Sequence, residues 1–211
     1  MEFESAGIPW REHAQRMDNL ERSIDEIERR YADATDQPLP EATSRPRLLV
    51  GGHGDRALDI AARRADTVAV AGLTQRRGAS MGTFDVADAQ QTRERVEFVR
   101  QRAGERAGEL ELTVLVQLVE VTADREAAAA GVAATYGRKG LGSVETILDS
   151  PYTLIGTQGE IAHEILRNRD RFGVTHIVTH GAFRDALAPS ISLVRELAGP
   201  TGEPADGTAL N

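Results

Sequence analysis

The chain alternates continuous apolar runs with stretches in which apolar residues recur every three or four positions. Residues 47–50 and 67–71 are predominantly apolar, and such runs are typical of strands covered on both faces. Between them, residues 55–65 place leucine and alanine on one side of a helix and charged side chains on the other. The pattern therefore predicts a β-α-β unit, two parallel strands joined by a right-handed helical crossover.

The same alternation predicts two more strands, over residues 110–121 and 174–180. Thr157 and Glu160 have the spacing of a capping box and predict the start of a helix. Residues 73–82 form a glycine-punctuated loop. The predicted helices cover residues 11–32, 55–65, 85–107, 122–136, 143–148, 161–172 and 183–197.

The predicted fold class is α/β, with about four parallel strands and their crossover helices. That is half of a (β/α)8 TIM-type barrel, and 211 residues are short for a complete one, which needs about 250. We expect one domain over residues 1–198, followed by a disordered Gly/Pro-rich tail over residues 199–211.

The first strand leads into the sequence Gly51-Gly52-His53-Gly54, which predicts a turn at the carboxyl end of that strand. Backbone N–H groups there and the start of the following helix can accept an anion. Arg76 and Arg77 follow the second strand, and loops that follow parallel strands leave the same edge of a sheet. These arginines either neutralise a phosphate or carboxylate bound at the glycine turn or form a solvated basic pair.

Two further polar positions are candidates for the same edge. His180, at the end of the last predicted strand, is either a general acid/base or a structural histidine. Gln117, inside the apolar run 110–121, either binds a ligand or is paired within the protein. The sequence contains no Ser-His-Asp or metal-ligand constellation.

The amino-acid composition argues against several classes of function. The net charge of −8 and the pI of about 5.2 exclude an electrostatic nucleic-acid footprint. Absence of cysteine removes disulfides, thiolate nucleophiles and cysteine metal sites. With no apolar run near the length of a membrane span and no signal-like segment, we expect a soluble cytoplasmic protein.

Two long segments resemble the carboxyl-terminal half of the bacterial-luciferase-like superfamily of flavin- and deazaflavin-dependent oxidoreductases. RPRLLVGGHGDRALDIAARRADTVAV is similar to the fifth-strand segment of that family, and SPYTLIGTQGEIAHEILRNRDRFGVTHIVTH is similar to its last segment. AGIPWREHAQRMDNLERSIDEI is similar to the helix that precedes the fifth strand. The resemblance covers residues 6–198 and is specific only when the segments are combined.

The resemblance implies a β/α barrel that holds FMN or the 5-deazaflavin coenzyme F-420 at the carboxyl ends of its strands. Gly51, Gly52, His53 and Gly54 match the turn that approaches the cofactor's phosphate arm, and residues 71–77 match a second contact region. His53 departs from the family, which usually has a small residue there. Ala71 and Thr74 also depart, because some deazaflavin enzymes have a hydroxyl and a lysine at these positions.

The family's first four strands, which carry much of its ring pocket and its usual catalytic residue, have no counterpart in this sequence. We therefore expect a homo-oligomer or a partner chain that completes the barrel, since a half-barrel leaves unpaired edges and an apolar face. The expected function is a truncated luciferase-like oxidoreductase or monooxygenase that uses a reduced flavin or deazaflavin on a small organic substrate. The alternatives are a non-redox half-barrel that serves as a binding, scaffolding or cofactor-free catalytic protein, and a fragment of a longer or split protein.

Overall fold

The computed structural model describes residues 5–9, 11–32, 46–76, 78, 84–136 and 142–199. Eight strands and seven α-helices are described in this part of the chain. The strands are β1 Leu49–Gly52, β2 Thr67–Val70, β3 Leu73–Gln75, β4 Phe84–Val86, β5 Glu111–Val116, β6 Leu118–Val121, β7 Thr153–Gly156 and β8 Val174–Thr179. The helices are α1 His13–Ala32, α2 Asp55–Arg64, α3 Ala89–Ala103, α4 Arg125–Tyr136, α5 Val144–Asp149, α6 Gln158–Phe172 and α7 Arg184–Ala198.

The main sheet is parallel and has the strand order β1-β2-β5-β8, which confirms the predicted α/β class with four parallel strands and crossover helices. Two smaller sheets accompany it. The strands β6 and β7 pair in parallel, and β3 and β4 form an antiparallel pair. Because β5 and β6 are separated only by Gln117, one extended segment contributes to two sheets.

The two faces of the main sheet differ in burial. Val50, Val68, Leu112 and Val174 form one cross-strand row, and all four are buried in a cluster that also contains apolar residues of α2, α3 and α6. Leu115 and Val178 are paired on the opposite face and remain 38% and 40% exposed. Helices therefore cover one face, while the other is open in part.

Helix α1 packs against α2 through one buried apolar side chain, Ile24, and a row of ion pairs. Arginines of α2 meet acidic side chains that recur every three or four residues along α1. The pairs are Arg56 with Asp18 and Glu21, Arg63 with Glu21, and Arg64 with Asp25 and Glu28. The charged stripe of α1 is therefore a packing surface.

The predicted glycine turn begins later than expected, because Gly51 and Gly52 are the last residues of β1. A Cβ on Gly52 would lie 2.6 Å from the Cβ of Ala57 in α2, and one on Gly51 would lie 3.1 Å from the Cβ of Ala69 in β2. Close packing of helix and neighbouring strand therefore explains these two glycines, and only His53 and Gly54 connect β1 to α2.

The region after β2 was predicted incorrectly. Instead of a loop that leads into a helix at residue 85, β3 and β4 form a hairpin, and α3 starts at Ala89. The N-cap of α3 is Asp88, whose carboxylate accepts from the Gln91 backbone N–H at 2.7 Å while the Gln91 side chain accepts from Asp88 N–H. This capping box fixes where the helix begins.

Later helix boundaries follow the prediction more closely. The expected capping box is present at α6, where the Glu160 carboxylate accepts from Thr157 N–H at 2.7 Å. Gly173 ends α6 with a φ of 74°, a left-handed conformation that favours glycine. Strand β7, which precedes α6, was not predicted. Apart from Gly199, the predicted tail lies outside the described residues.

Candidate functional site

The carboxyl ends of the four main strands lie along one edge of the sheet, since the strands are parallel. His53 follows β1, Ala71 follows β2, Gln117 follows β5, and His180 follows β8. Two hydrogen bonds connect these positions in pairs, from His53 to Ala71 and between His180 and Gln117. This carboxyl edge is the candidate functional site.

Gly54 is the N-cap of α2 and supplies no side-chain hydrogen bond to the helix N-terminus. Gly54 is exposed, and a Cβ added to it would meet no heavy atom within 4 Å other than those of its chain neighbours. The first helical residue, Asp55, carries a negative charge, but its carboxylate is paired with Arg95 at 2.5 Å. Uncapped N–H groups at a helix start favour an anionic ligand.

His53 does not point freely into this opening. Its Nδ1 lies 3.1 Å from the carbonyl oxygen of Ala71, which can only accept, so Nδ1 carries the hydrogen. The bond connects the ends of β1 and β2. It leaves Nε2 of the half-buried imidazole available to a ligand.

Of the two arginines predicted to neutralise an anion at the glycine turn, the structure describes only Arg76. Arg76 is paired with Asp85 of β4, to which its Nε donates at 2.8 Å, and this hydrogen bond raises the pKa of the Arg76 guanidinium. Thr74 is exposed in β3, opposite Asp85 in the register. Arg77 lies outside the described residues. Arg76 therefore stabilises the hairpin through Asp85.

Gln117 and His180 come from different strands and meet at the same edge. The Nε2 of Gln117 donates to the Leu115 carbonyl oxygen at 2.9 Å, and its Oε1 lies 3.3 Å from Nε2 of His180. Phe183 packs edge-on against the imidazole, with ring centroids 6.5 Å apart. Gln117 is thus paired within the protein, the second of the two interpretations drawn from the sequence.

Tyr152 is a central residue of this edge that the sequence patterns did not reveal. Its side chain is completely buried, its hydroxyl donates to the Val70 carbonyl at 3.2 Å, and its own carbonyl accepts from Gln117 N–H at 2.8 Å. Burial raises the pKa of the Tyr152 phenol to about 12, so the group stays protonated. The aromatic residue in the Ser150-Pro151-Tyr152 segment was the available signal, and that segment was interpreted as extended or a turn with no role at the site.

Gly72 makes room for the Tyr152 ring. A Cβ at Gly72 would lie 2.4 Å from ring carbons of Tyr152, a distance that no structure tolerates. The backbone carbonyl of Gly72 also accepts from Ala87 N–H at 2.7 Å. Tyr152 therefore connects the end of β2 with the junction of β5 and β6, and the Gly72 backbone connects the residue after β4 to the same place.

A separate groove of about 850 Å³ is lined by residues of α3, α4, α5 and α6, and none of the predicted site residues lines it. Arg125 and Arg167 are its basic residues, and Nε of Arg125 is buried without a hydrogen-bond partner in the described structure. Behind it, burial raises the pKa of the Glu164 carboxyl, although Arg167 and Arg125 act against this shift. Acidic residues outnumber the arginines along the groove: Asp88, Glu126, Glu145 and Asp149.

Within the described ranges, no group of three or more histidines and carboxylates is arranged to hold a metal ion. A search of the same residues for a helix long and apolar enough to cross a membrane also found none.

The fold belongs to a known class. No protein-family model and no curated protein sequence matches the chain. Solved structures do match, and those compared are luciferase-like oxidoreductases, which confirms the predicted resemblance as a likeness of fold.

Two of these structures superpose best by TM-score among those compared. One is an F420-dependent secondary alcohol dehydrogenase in complex with an F420-acetone adduct, with a TM-score of 0.56, 14% identity, and coverage of 89% of this chain and 64% of that one. The other is the EDTA monooxygenase from Chelativorans sp. BNC1, with a TM-score of 0.60, 11% identity, and coverage of 92% and 64%. This chain therefore spans less than two thirds of either protein.

Proposed function

We propose that the chain binds a flavin or 5-deazaflavin cofactor at the carboxyl edge and belongs to an oxidoreductase of the luciferase-like kind. The observation that carries this proposal is the uncapped, exposed N-terminus of α2 at Gly54, which follows β1 at the same carboxyl edge as Gln117 and His180. The likeness of fold to an F420-dependent dehydrogenase and a monooxygenase supports the choice of cofactor class.

The described residues fit the phosphate arm of such a cofactor. Backbone N–H groups of the first turn of α2 would hold the phosphate, and His53, the residue before Gly54, would offer Nε2 because its Nδ1 is bonded to Ala71. When bound, the cofactor supplies the hydride or oxygen chemistry, and the chain supplies position and hydrogen bonds. The substrate would be a small organic molecule.

Titration with FMN and with coenzyme F-420, followed by absorbance and fluorescence, tests the proposal. Gly54→Asp is the decisive variant, because its carboxylate would cap α2 and repel a phosphate. We expect at least about a tenfold loss of affinity together with unchanged or slightly higher stability, since an Asp N-cap stabilises a helix by only about 0.3 kcal/mol relative to Gly. Gly108→Asp, at another glycine with open space around it, is the matched control.

Failure of both cofactors to bind at high micromolar concentration contradicts the proposal. The alternative is then a non-redox half-barrel with a binding, scaffolding or cofactor-free role. Two observations favour this alternative: packing explains Gly51 and Gly52, and Arg76 is paired with Asp85. If wild type and Gly54→Asp bind a cofactor with equal affinity, the chain does bind a cofactor, but the cofactor's phosphate does not lie at the N-terminus of α2.

A further inference from the structure

The hydrogen bonds of Gln117 determine which ring nitrogen of His180 carries a hydrogen. The Gln117 amide nitrogen donates to the Leu115 carbonyl, which fixes the orientation of the amide and turns Oε1 towards His180. An amide oxygen can only accept, so Nε2 of His180 is the donor in this pair. The neutral imidazole is therefore the Nε2–H tautomer, and its Nδ1 has a free lone pair.

Nδ1 of His180 belongs to an exposed residue and has no partner among the described residues. The residue lies one position beyond the end of β8. The backbone N–H of Phe183 donates to the His180 carbonyl at 2.9 Å, and the Phe183 ring packs against the imidazole, so the ring has contacts on the helical side. His180 lies at the carboxyl edge, so its Nδ1 is a candidate contact for a ligand there.

Hydrogen bonds of the backbone hold Gln117 and its neighbours in place. The backbone N–H of Gln117 donates to Tyr152, whose buried hydroxyl is bonded to the end of β2. On the other side, the hydroxyl of Thr179 in β8 donates to the Val116 carbonyl at 3.3 Å and joins the strand ends next to the pair. The backbone of Gln117 is thus fixed by a bond to a buried tyrosine, while the two bonds of its side-chain amide are exposed.

The other edge histidine has the opposite tautomer. His53 donates from Nδ1 to Ala71 and keeps Nε2 free. Because β1 and β8 are the outer strands of the sheet, three strand spacings separate the two imidazoles, which corresponds to about 14 Å. His53 can therefore serve as an internal reference for His180 in one spectrum.

We propose that Gln117 is a positioning residue that keeps His180 in the Nε2–H tautomer, so that Nδ1 is the free acceptor nitrogen of the carboxyl edge. A ligand recognised there offers a hydroxyl or amine hydrogen to Nδ1. The proposal deepens the function proposed above by assigning the polar contact at the β8 end of the same site, opposite the phosphate end at α2.

Long-range ¹H–¹⁵N spectra of the full, cofactor-free chain test the tautomer directly. Loss of its signals in His180→Gln assigns His180. We expect a single Nε2–H tautomer for His180 and a single Nδ1–H tautomer for His53 in the wild type. In Gln117→Leu the nitrogen shifts of His180 should move towards averaged values while those of His53 stay unchanged. Gln117→Glu retains an acceptor oxygen and should restore the single tautomer.

A wild-type His180 that already averages between tautomers contradicts the proposal, as does a His180 whose shifts are unaffected by Gln117→Leu. Unchanged His53 signals also show that the Gln117 variants remain folded at this edge. The backbone bond of Gln117 to Tyr152 does not depend on the side chain.

Alkylation with bromoacetate tests the access to Nδ1, because a free lone pair displaces bromide and forms a new C–N bond. We expect peptide mass spectrometry to place the carboxymethyl group on His180, and comparison of the hydrolysed residue with the two N-carboxymethyl-histidine standards to place it on Nδ1. Modification on Nε2, or none at all, overturns the proposal. Neither measurement needs a cofactor, so a failed FMN or F-420 titration leaves its result intact.

Discussion

At the scale of single residues, two buried threonines differ in one respect. Thr113 and Thr153 are 2% and 3% exposed, but the hydroxyl of Thr113 has no hydrogen-bond partner in the described structure. The hydroxyl of Thr153 donates to the Ile147 carbonyl and also lies 3.4 Å from the Ser150 carbonyl oxygen. A buried polar group without a partner lowers stability.

We therefore expect Thr113→Val to raise the free energy of unfolding by about 1 kcal/mol, since the substitution removes an unsatisfied hydroxyl and keeps the shape. Thr153→Val should lower it by about 1–2 kcal/mol, because the Ile147 carbonyl loses its donor. Urea denaturation of the two variants measures both values. A loss of stability in Thr113→Val would show that its hydroxyl has a partner in solution.

Gly72 allows an equally direct test. In Gly72→Ala the new methyl group would overlap the Tyr152 ring, and we expect a loss of about 1–3 kcal/mol. Gly131→Ala, in the exposed part of α4 with open space around it, should gain about 0.5–1 kcal/mol. Similar values for the two variants, measured by thermal unfolding, would contradict the packing of Tyr152 on Gly72.

At the scale of elements, charge holds α1 on α2. Arg64 is only 25% exposed and its Nη2 lies 2.7 Å from carboxylate oxygens of both Asp25 and Glu28. Arg64→Glu replaces two attractions with repulsions, and we expect it to cost about 1–2 kcal/mol at about 0.05 M salt and less at about 1 M. Addition of Glu28→Arg should recover part of the loss. An effect that is independent of salt would contradict this account.

The contact between α5 and α6 predicts a dependence on pH. The Arg171 guanidinium donates to both carboxylate oxygens of Asp149, at 2.6 and 3.1 Å, and holds the pKa of that carboxyl below its usual range. A depressed pKa gives stability that is present above the unfolded-state pKa and is lost as the pH falls through the folded-state value.

Asp149→Asn should therefore destabilise the chain at neutral pH by about 0.5 kcal/mol, a value reduced for solvent screening because Asp149 is half exposed. The difference from wild type should begin to shrink below about pH 4, where Asp149 of the unfolded chain becomes protonated, and should vanish below the lower pKa of the folded chain. Denaturation at a series of pH values checks this. A difference that remains constant down to pH 2 would assign the effect to packing instead.

The sequence patterns predicted elements wherever a run of apolar residues was long enough. The strands of the main sheet and the helix starting after Thr157 were found in this way. The hairpin was missed because β3 and β4 have three residues each and carry polar side chains such as Thr74 and Asp85. The pairing of Gln117 with His180 joins residues 63 positions apart, and no local pattern encodes it.

At the scale of the whole molecule, the open face and the outer strands of the main sheet favour association with another chain. Leu49, Leu115 and Val178 are exposed on the same face, and β1 and β8 have no further strand partner among the described residues. We propose that a second copy of this chain covers this face. Edges and apolar faces of this kind are usually paired or covered.

Gel filtration with light scattering should then give a dimer or larger assembly, and Val178→Glu should shift it towards the monomer. Leu197→Glu is the matched control, because Leu197 is 50% exposed but lies on α7. A monomer at all concentrations contradicts the proposal. Equal dissociation by both variants would place the contact elsewhere.

The ion pairs between α1 and α2 have a consequence for amine chemistry. All their cations are arginines, and Lys139 is the only lysine among the 25 basic side chains of the chain. A guanidinium stays charged at any pH a folded protein survives, so these contacts should persist in alkaline buffer. Amine-reactive dyes or acetylating reagents would therefore leave these arginine contacts untouched, because such reagents have only one lysine side chain to modify.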